Sequence, residues 1–217
     1  MPDLSFEVTG VGASADAVTP VLSFALRISC EPAAESIQTV LLRCQIRIET
    51  PRRKYAVGEK EQLRDLFGEP ERWGSTLRPM LWTNLSLTVP AFTSEITQFL
   101  DVPCTCDLNA GVSKYFHALD GGDVPLTFLF SGSIFYQGPA GLQVAPVSWN
   151  KEARFRLQVS AWKELLERCY PHSAWLCVER GVLDKLYRFK VREGLPDWEH
   201  AIERLLASEE RAREVRV

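Results

Sequence analysis

Cys104-Thr105-Cys106 is the tightest pair of metal-competent side chains in the chain. On a strand, side chains two apart share a face, so these thiols would offer a soft-metal pair. A closed zinc site asks for two such close pairs, and Cys30, Cys44, Cys169 and Cys177 do not supply the second. The six cysteines are therefore expected to be reduced thiols in or near a core. Nucleophilic catalysis needs a base and an orienting group beside a Ser or Cys. The imidazoles are His117, His172 and His200, and none stands in a recognisable motif. His117 follows Tyr115 and Phe116, which reads as a partly buried structural position. No G-x-x-x-x-G-K-[ST], G-x-G-x-x-G or H-E-x-x-H occurs. Carboxylates are plentiful, but acid/base pairs meet in space, so spacing alone singles none out. No catalytic, cofactor or metal residue is assigned, and the chain is expected not to be an enzyme.

Two features have the chemistry of a binding surface. Arg52, Arg53 and Lys54 form the one tight basic cluster, beside Tyr55. A solvated strand end explains them; the functional reading is a docking patch for an acidic partner segment. The run from Trp149 to Arg156 alternates aromatic and charged groups. An outer sheet face with Trp149 packed inward explains it, but Trp and Arg are also enriched at binding hot spots. The candidate partner surface is thus Arg52, Arg53, Lys54, Trp149, Lys151 and Arg154.

These side chains must be held by a mostly β body. Leu22, Phe24, Leu26, Ile28 and Cys30 alternate with polar or small residues, as do Val40, Leu42, Cys44, Ile46 and Ile48. A period of two marks strands with one buried face, and the short turn Glu31–Ser36 between them predicts an antiparallel hairpin with Cys30 and Cys44 inward. A short helical insertion is expected near 58–73, with Leu63, Leu66 and Phe67 on one side and Gly68 and Pro70 as its stop. Further strands are expected at Leu81–Val89 (Leu81, Leu85, Leu87 and Val89 in phase), Phe99–Ala110, Val124–Gln137 and Leu142–Leu157. Asp120–Asp123 and Gln137–Gly141 read as turns.

The pattern changes at Ser160, read as the N-cap of a helix carrying Trp162, Leu165 and Leu166. Trp175–Val178 reads as a strand. A helix follows over Arg180–Glu193 with Gly194 as its stop, and Pro196 starts a last helix carrying Trp198, Ile202, Leu205 and Leu206. The tryptophans are mostly core candidates. The fold class is α+β: a mainly antiparallel β-sandwich of the immunoglobulin/fibronectin-like kind over 1–159, then a helical C-terminal region over 160–217 packed on it. The alternative is one antiparallel sheet with flanking helices, as in SecB-like chaperones.

Composition narrows the partners. The chain has 217 residues, 46% hydrophobic and 24% charged, with a net charge of −3 and a pI near 5.7. That balance disfavours non-specific binding to nucleic acid or an anionic membrane. No stretch approaches the roughly 20 apolar residues of a spanning helix, and no targeting segment is visible at the start. A cytoplasmic protein without membrane insertion is expected.

Three resemblances bear on function. Val102-Pro103-Cys104, Val124-Pro125-Leu126 and Phe130–Phe135 are similar to the late-embryogenesis-abundant (water-stress) domain, which implies an immunoglobulin-like sandwich. Leu41–Glu49, Val124-Pro125-Leu126 with Phe130-Ser131-Gly132, and Trp149–Phe155 resemble an uncharacterised bacterial family that looks to be encoded beside nickel–iron uptake hydrogenase genes. That resemblance covers most of the chain and implies an accessory or assembly role, with hydrogenase subunits or maturation factors as partners. The strand-helix-helix pattern from Trp175 to Leu206 looks like a ribbon-helix-helix unit, implying a DNA-binding regulator. The strand Trp-Leu-Cys-Val lacks the polar groups that read base edges, and the region from Trp175 onward holds nine basic and nine acidic residues, so nucleic acid is disfavoured. The expected function is a non-enzymatic accessory or protein-interaction module. The alternatives are that regulator and an enzyme with an unrecognised site. Self-association stays open.

Overall fold

The structure is a computed structural model describing residues 2–14, 17–31, 36–105, 109–139, 141–173 and 176–214. The chain forms two compact units, Met1–Ser173 and Ala174–Val217. The first runs β1 (Asp3–Ala13), β2 (Val21–Glu31), β3 (Ile37–Ile48), the short helices α1 (Val57–Gln62), α2 (Arg64–Phe67) and α3 (Trp73–Thr76), then β4 (Met80–Val89), β5 (Glu95–Pro103), α4 (Ala110–His117), β6 (Asp123–Gly138), β7 (Gly141–Pro146), β8 (Glu152–Gln158) and α5 (Val159–Cys169). The second holds α6 (Arg180–Arg192) and α7 (Trp198–Glu214).

The strands make two antiparallel sheets, one ordered β1-β2-β5 and the other β4-β3-β6-β7, with β8 also paired to β6. Their apolar faces meet through aromatics. Phe6 stacks on Phe130 at 4.3 Å, and Phe24 meets Phe128, Phe155 and Trp82 edge-on at 5.3, 5.8 and 6.2 Å. Such contacts across two sheets define a sandwich core. The expected α+β class, with a mainly antiparallel sandwich followed by helices, is the fold observed; two sheets exclude the single-sheet alternative.

The hairpin expected between β2 and β3 does not form. β2 pairs with β1 and β5, whereas β3 pairs with β4 and β6. Alternation specifies which face is buried, and two strands facing each other across a sandwich meet that demand as well as neighbours do. Cys30 and Cys44 are accordingly both buried. Strand β1 had no sequence expectation, since Thr9, Gly10 and Gly12 interrupt its alternation. Phe99–Ala110 is not one strand: β5 ends at Pro103, and α4 begins at Ala110, where Asn109 caps it by accepting from the Val112 N–H at 3.0 Å.

Leu81 is out of phase with the rest of β4. Ile46 opposes Thr83 and Arg47 opposes Leu81, so Trp82 is an extra, bulged residue. The bulge turns Trp82 into the core and leaves Leu81 47% exposed. The run Leu142–Leu157 divides into β7 and β8, which share one edge of the 16-residue β6. Gly132 lies between the two paired stretches at φ +150°, and a Cβ there would stand 2.0 Å from the Leu41 carbonyl oxygen. This close approach requires glycine.

Helix α5 starts at Val159, with Gln158 rather than Ser160 at the N-cap. It buries Trp162, Leu165 and Leu166 in the core of the first unit, so the border between the units follows Ser173 and not Ser160. In the second unit Leu176–Val178 form no strand, and Trp175 lies outside the described residues. α6 ends as expected: Gly194 takes φ +66°, and the Leu195 N–H returns to the Lys190 carbonyl at 3.0 Å. Asp197 caps α7 by accepting from the His200 N–H at 2.9 Å.

Candidate functional site

The outer face of the five-stranded sheet is where the basic residues gather. On β3, inward Cys44, Ile46 and Ile48 leave Arg43, Gln45 and Arg47 outward. On β8, inward Ala153 and Leu157 leave Glu152, Arg154 and Arg156 outward. Arg47 and Arg154 both pair with Thr127 of β6, so they flank it in one cross-strand row. Two strand spacings place their backbones about 10 Å apart. Arg43 and Arg47 make no ion pair among the described residues.

Beside this row lies a cavity of about 680 Å³ lined by Arg52, Lys54, Arg156 and the Asp120–Asp123 turn, among others. A second, of about 320 Å³, is lined by Glu49, Arg52, Arg154 and Arg156 with Pro125, Leu126, Thr127 and Phe155. Arg52, Pro125 and Arg156 belong to both. The carboxylates present hold these cations loosely: Arg52 is 3.7 Å from Glu49 and Arg156 is 3.9 Å from Asp123. Arg154 pairs with its neighbour Glu152 at 2.8 Å, both largely exposed. Ion pairs at a wet surface contribute little and exchange readily.

Of the expected partner surface, Arg52, Lys54 and Arg154 line these cavities. Arg53 does not belong to an open surface. Its side chain is 6% exposed, and it donates to Glu59 Oε1 at 2.7 Å and to the carbonyls of Gly121 and Asp123 at 2.7 and 2.6 Å. Glu59 also accepts from the N–H groups of Ala56 and Asp120 at 2.9 and 3.0 Å. Burial raises the Glu59 carboxyl, but those two amides and the Arg53 guanidinium outweigh it and hold it below the ordinary range. Arg53 is thus the floor of the larger cavity, where it ties α1 to the turn before β6.

Trp149 and Lys151 stand apart from both cavities. Trp149 is 95% exposed in the turn between β7 and β8, not packed inward. Lys151 is tied to Asp3 of β1 at 2.8 Å. Sequence reasoning missed Arg43, Arg47 and Arg156 as site residues, although the alternation of their strands already placed them on the wet face.

The metal-competent groups are elsewhere. Among the described residues no three His, Cys, Asp or Glu side chains could share an ion. Cys104 is buried, donates to the Val102 carbonyl, and has its thiol pushed up to about 12 by burial; Cys106 lies outside the described residues. His117 sets its ring edge-on to Trp162 at 4.9 Å, and burial lowers its pKa. No helix among the described residues is long and apolar enough to cross a membrane.

Comparison with known proteins sets the chain in a family. The chain belongs to a family of unknown function, DUF6084, whose family model matches residues 1–214. No curated protein matches it. Among solved structures, the CARDB domain of a Pyrococcus furiosus protein, in complex with di-metal ions, aligns at 10% identity and a TM-score of 0.28, covering 72% of this chain and 91% of that one. A putative late embryogenesis abundant protein aligns at 17% identity and a TM-score of 0.32, covering 73% and 71%. β-Glucosidase 3B from Thermotoga neapolitana aligns at 12% identity and a TM-score of 0.24, covering 71% of this chain and 17% of that one.

Proposed function

We propose that this chain is a non-enzymatic accessory module of the cytoplasm that binds an acidic segment of a partner protein along the arginine row of its five-stranded sheet. The observation that carries this reading is the row itself: Arg47 and Arg154 flank Thr127, with Arg43, Arg156, Arg52 and Lys54 around them. Guanidinium groups on a rigid sheet suit carboxylates, because each offers a planar fork of donors. The family resemblance adds a finer expectation: the acidic partner is a hydrogenase subunit or maturation factor, and the module assists assembly or maturation.

Calorimetric titration with a poly-glutamate peptide tests the surface. Binding is expected at about 0.01 M salt and should be lost near 1 M, as the screening length falls from about 30 to about 3 Å. Arg154→Glu with Arg156→Glu should abolish it. No binding at low salt, or binding indifferent to both substitutions, sinks the reading. Co-purification from the native host tests the partner: hydrogenase subunits should be recovered with the wild type and lost with the double variant. Recovery of this chain alone at native abundance counts against an accessory role.

A further inference from the structure

Strand β7 leaves one edge of the five-stranded sheet open. β6 pairs with it along one side, and no strand pairs its other side among the described residues. The Val147 N–H donates to the Gly132 carbonyl at 3.0 Å. In an antiparallel ladder, hydrogen-bonded pairs alternate with non-bonded ones. Gly132 with Val147 therefore sets the phase: Ala145, Gln143 and Gly141 bond to Ile134, Tyr136 and Gly138. The N–H and C=O groups of Leu142 and Val144 point the other way, off the edge of the sheet. Their side chains are 64% and 59% exposed on its outer face, where Val144 neighbours Phe135.

Exposed edges are ordinarily blunted by charges, bulges or cover. β1 carries Asp3 and Glu7 and a register shift at Thr9, β5 carries Glu95 and Asp101, and β8 carries Glu152, Arg154 and Arg156. β4 is bulged at Trp82, whose carbonyl accepts from Asn109 Nδ2 at 2.9 Å. β7, Gly-Leu-Gln-Val-Ala-Pro, holds no charge, and its register is unbroken. Open peptide groups specify a strand as their occupant, and this edge has no charge with which to select a charged one. It does match itself. We infer that β7 is a dimerisation edge, at which two copies of this chain pair β7 with β7 antiparallel, Gln143 facing Gln143 across a two-fold axis. Leu142 of each copy then exchanges N–H···O=C bonds with Val144 of the other, which satisfies all four open groups of both residues. Their side chains meet as cross-strand pairs. Sliding by two residues would oppose Leu142 to Pro146, which has no N–H to give. The seam uses no residue of the arginine row, so it is independent of that reading.

Sedimentation equilibrium of the full chain, from low to high micromolar, reads the state directly. A mass approaching twice 24.5 kDa is expected at the high end. A mass of 24.5 kDa across the whole range overturns the proposal and leaves the edge to a strand of another protein. Leu142→Lys with Val144→Lys changes only exposed side chains and should give a monomer. Val144→Pro removes an N–H that β6 does not use and should weaken dimerisation by about tenfold or more. Gln143→Cys reads the register. Facing residues of a non-bonded pair stand about 4.5 Å apart at Cα, within disulfide reach, so mild oxidation should give a 143–143 link, identified by mass spectrometry of peptides. A dimer indifferent to the lysine and proline variants, or one that never forms that link, uses another surface or register and also overturns the proposal.

Discussion

Arg53 and Glu59 form an ion pair sealed from solvent: Nη2 to Oε1 is 2.7 Å, and the side chains are 6% and 4% exposed. Two amides and two carbonyls complete the arrangement. The guanidinium also lies 5.7 Å from the Tyr55 ring, whose hydroxyl donates to the Thr50 carbonyl at 2.9 Å. A residue in a basic run therefore acts as a bolt beneath the surface that its neighbours Arg52 and Lys54 present.

Breaking that pair from one side leaves a buried charge without its partner. Arg53→Met should cost about 3–5 kcal/mol, measured by urea unfolding. Lys54→Met, one residue on and exposed, should stay within about 0.5 kcal/mol of wild type. Equal, small effects at the two positions would show that Arg53 is not structural.

Acid should attack the same place. The Glu59 carboxyl titrates below its ordinary 4.5 in the folded chain. The unfolded chain then binds more protons as pH drops, so this stabilisation is present above about pH 4.5 and is lost as pH falls through the folded value. Glu59→Gln should lower stability at neutral pH and flatten its fall between about pH 5 and 3. Parallel acid-unfolding curves for the two proteins would contradict this.

Gly132 should tolerate no side chain. A Cβ would meet the Leu41 carbonyl at 2.0 Å, and φ is +150°. Gly132→Ala is expected to cost at least roughly 1–3 kcal/mol of backbone strain, read as a lower Tm. Gly121→Ala, with nothing within 4 Å of the added carbon, is the control.

Thiol labelling should follow burial. Cys44 and Cys104 are buried, with thiols pushed up to about 12, while Cys177 is exposed. Under native conditions iodoacetamide should modify Cys177 and spare Cys44 and Cys104, as mass spectrometry of peptides can resolve. Prompt labelling of Cys44 would mean that the sandwich opens readily.

What the chain's pattern revealed and what it hid divide along a physical line. Period-two alternation in β2 and β3 identified the strands and their buried faces, because burial acts on each strand separately. It was silent on which strands pair, since both arrangements bury the same faces. The exposure of Leu81 escaped because a bulge resets the phase only where the partner strand is known. Arg53 looked like Arg52 and Lys54 because its acceptors are remote, at Gly121 and Asp123. The arginine row was legible in halves: Arg43 and Arg47 on one strand, Arg154 and Arg156 on another. Only the register through Thr127 makes them one surface.

Trp149, 95% exposed between β7 and β8, equips the molecule with its own optical reporter. Its indole sits in water, while those of Trp82 and Trp162 sit in the core. Indole emission shifts to the red in a polar medium, so the native spectrum has a long-wavelength edge from Trp149, with a lesser share from the 40% exposed Trp198, and a blue component from enclosed rings. An aqueous quencher should strip the red edge first and leave the blue part intact until the sandwich melts. A ligand settling near the β7–β8 turn would become visible by shielding one ring, without any label being attached.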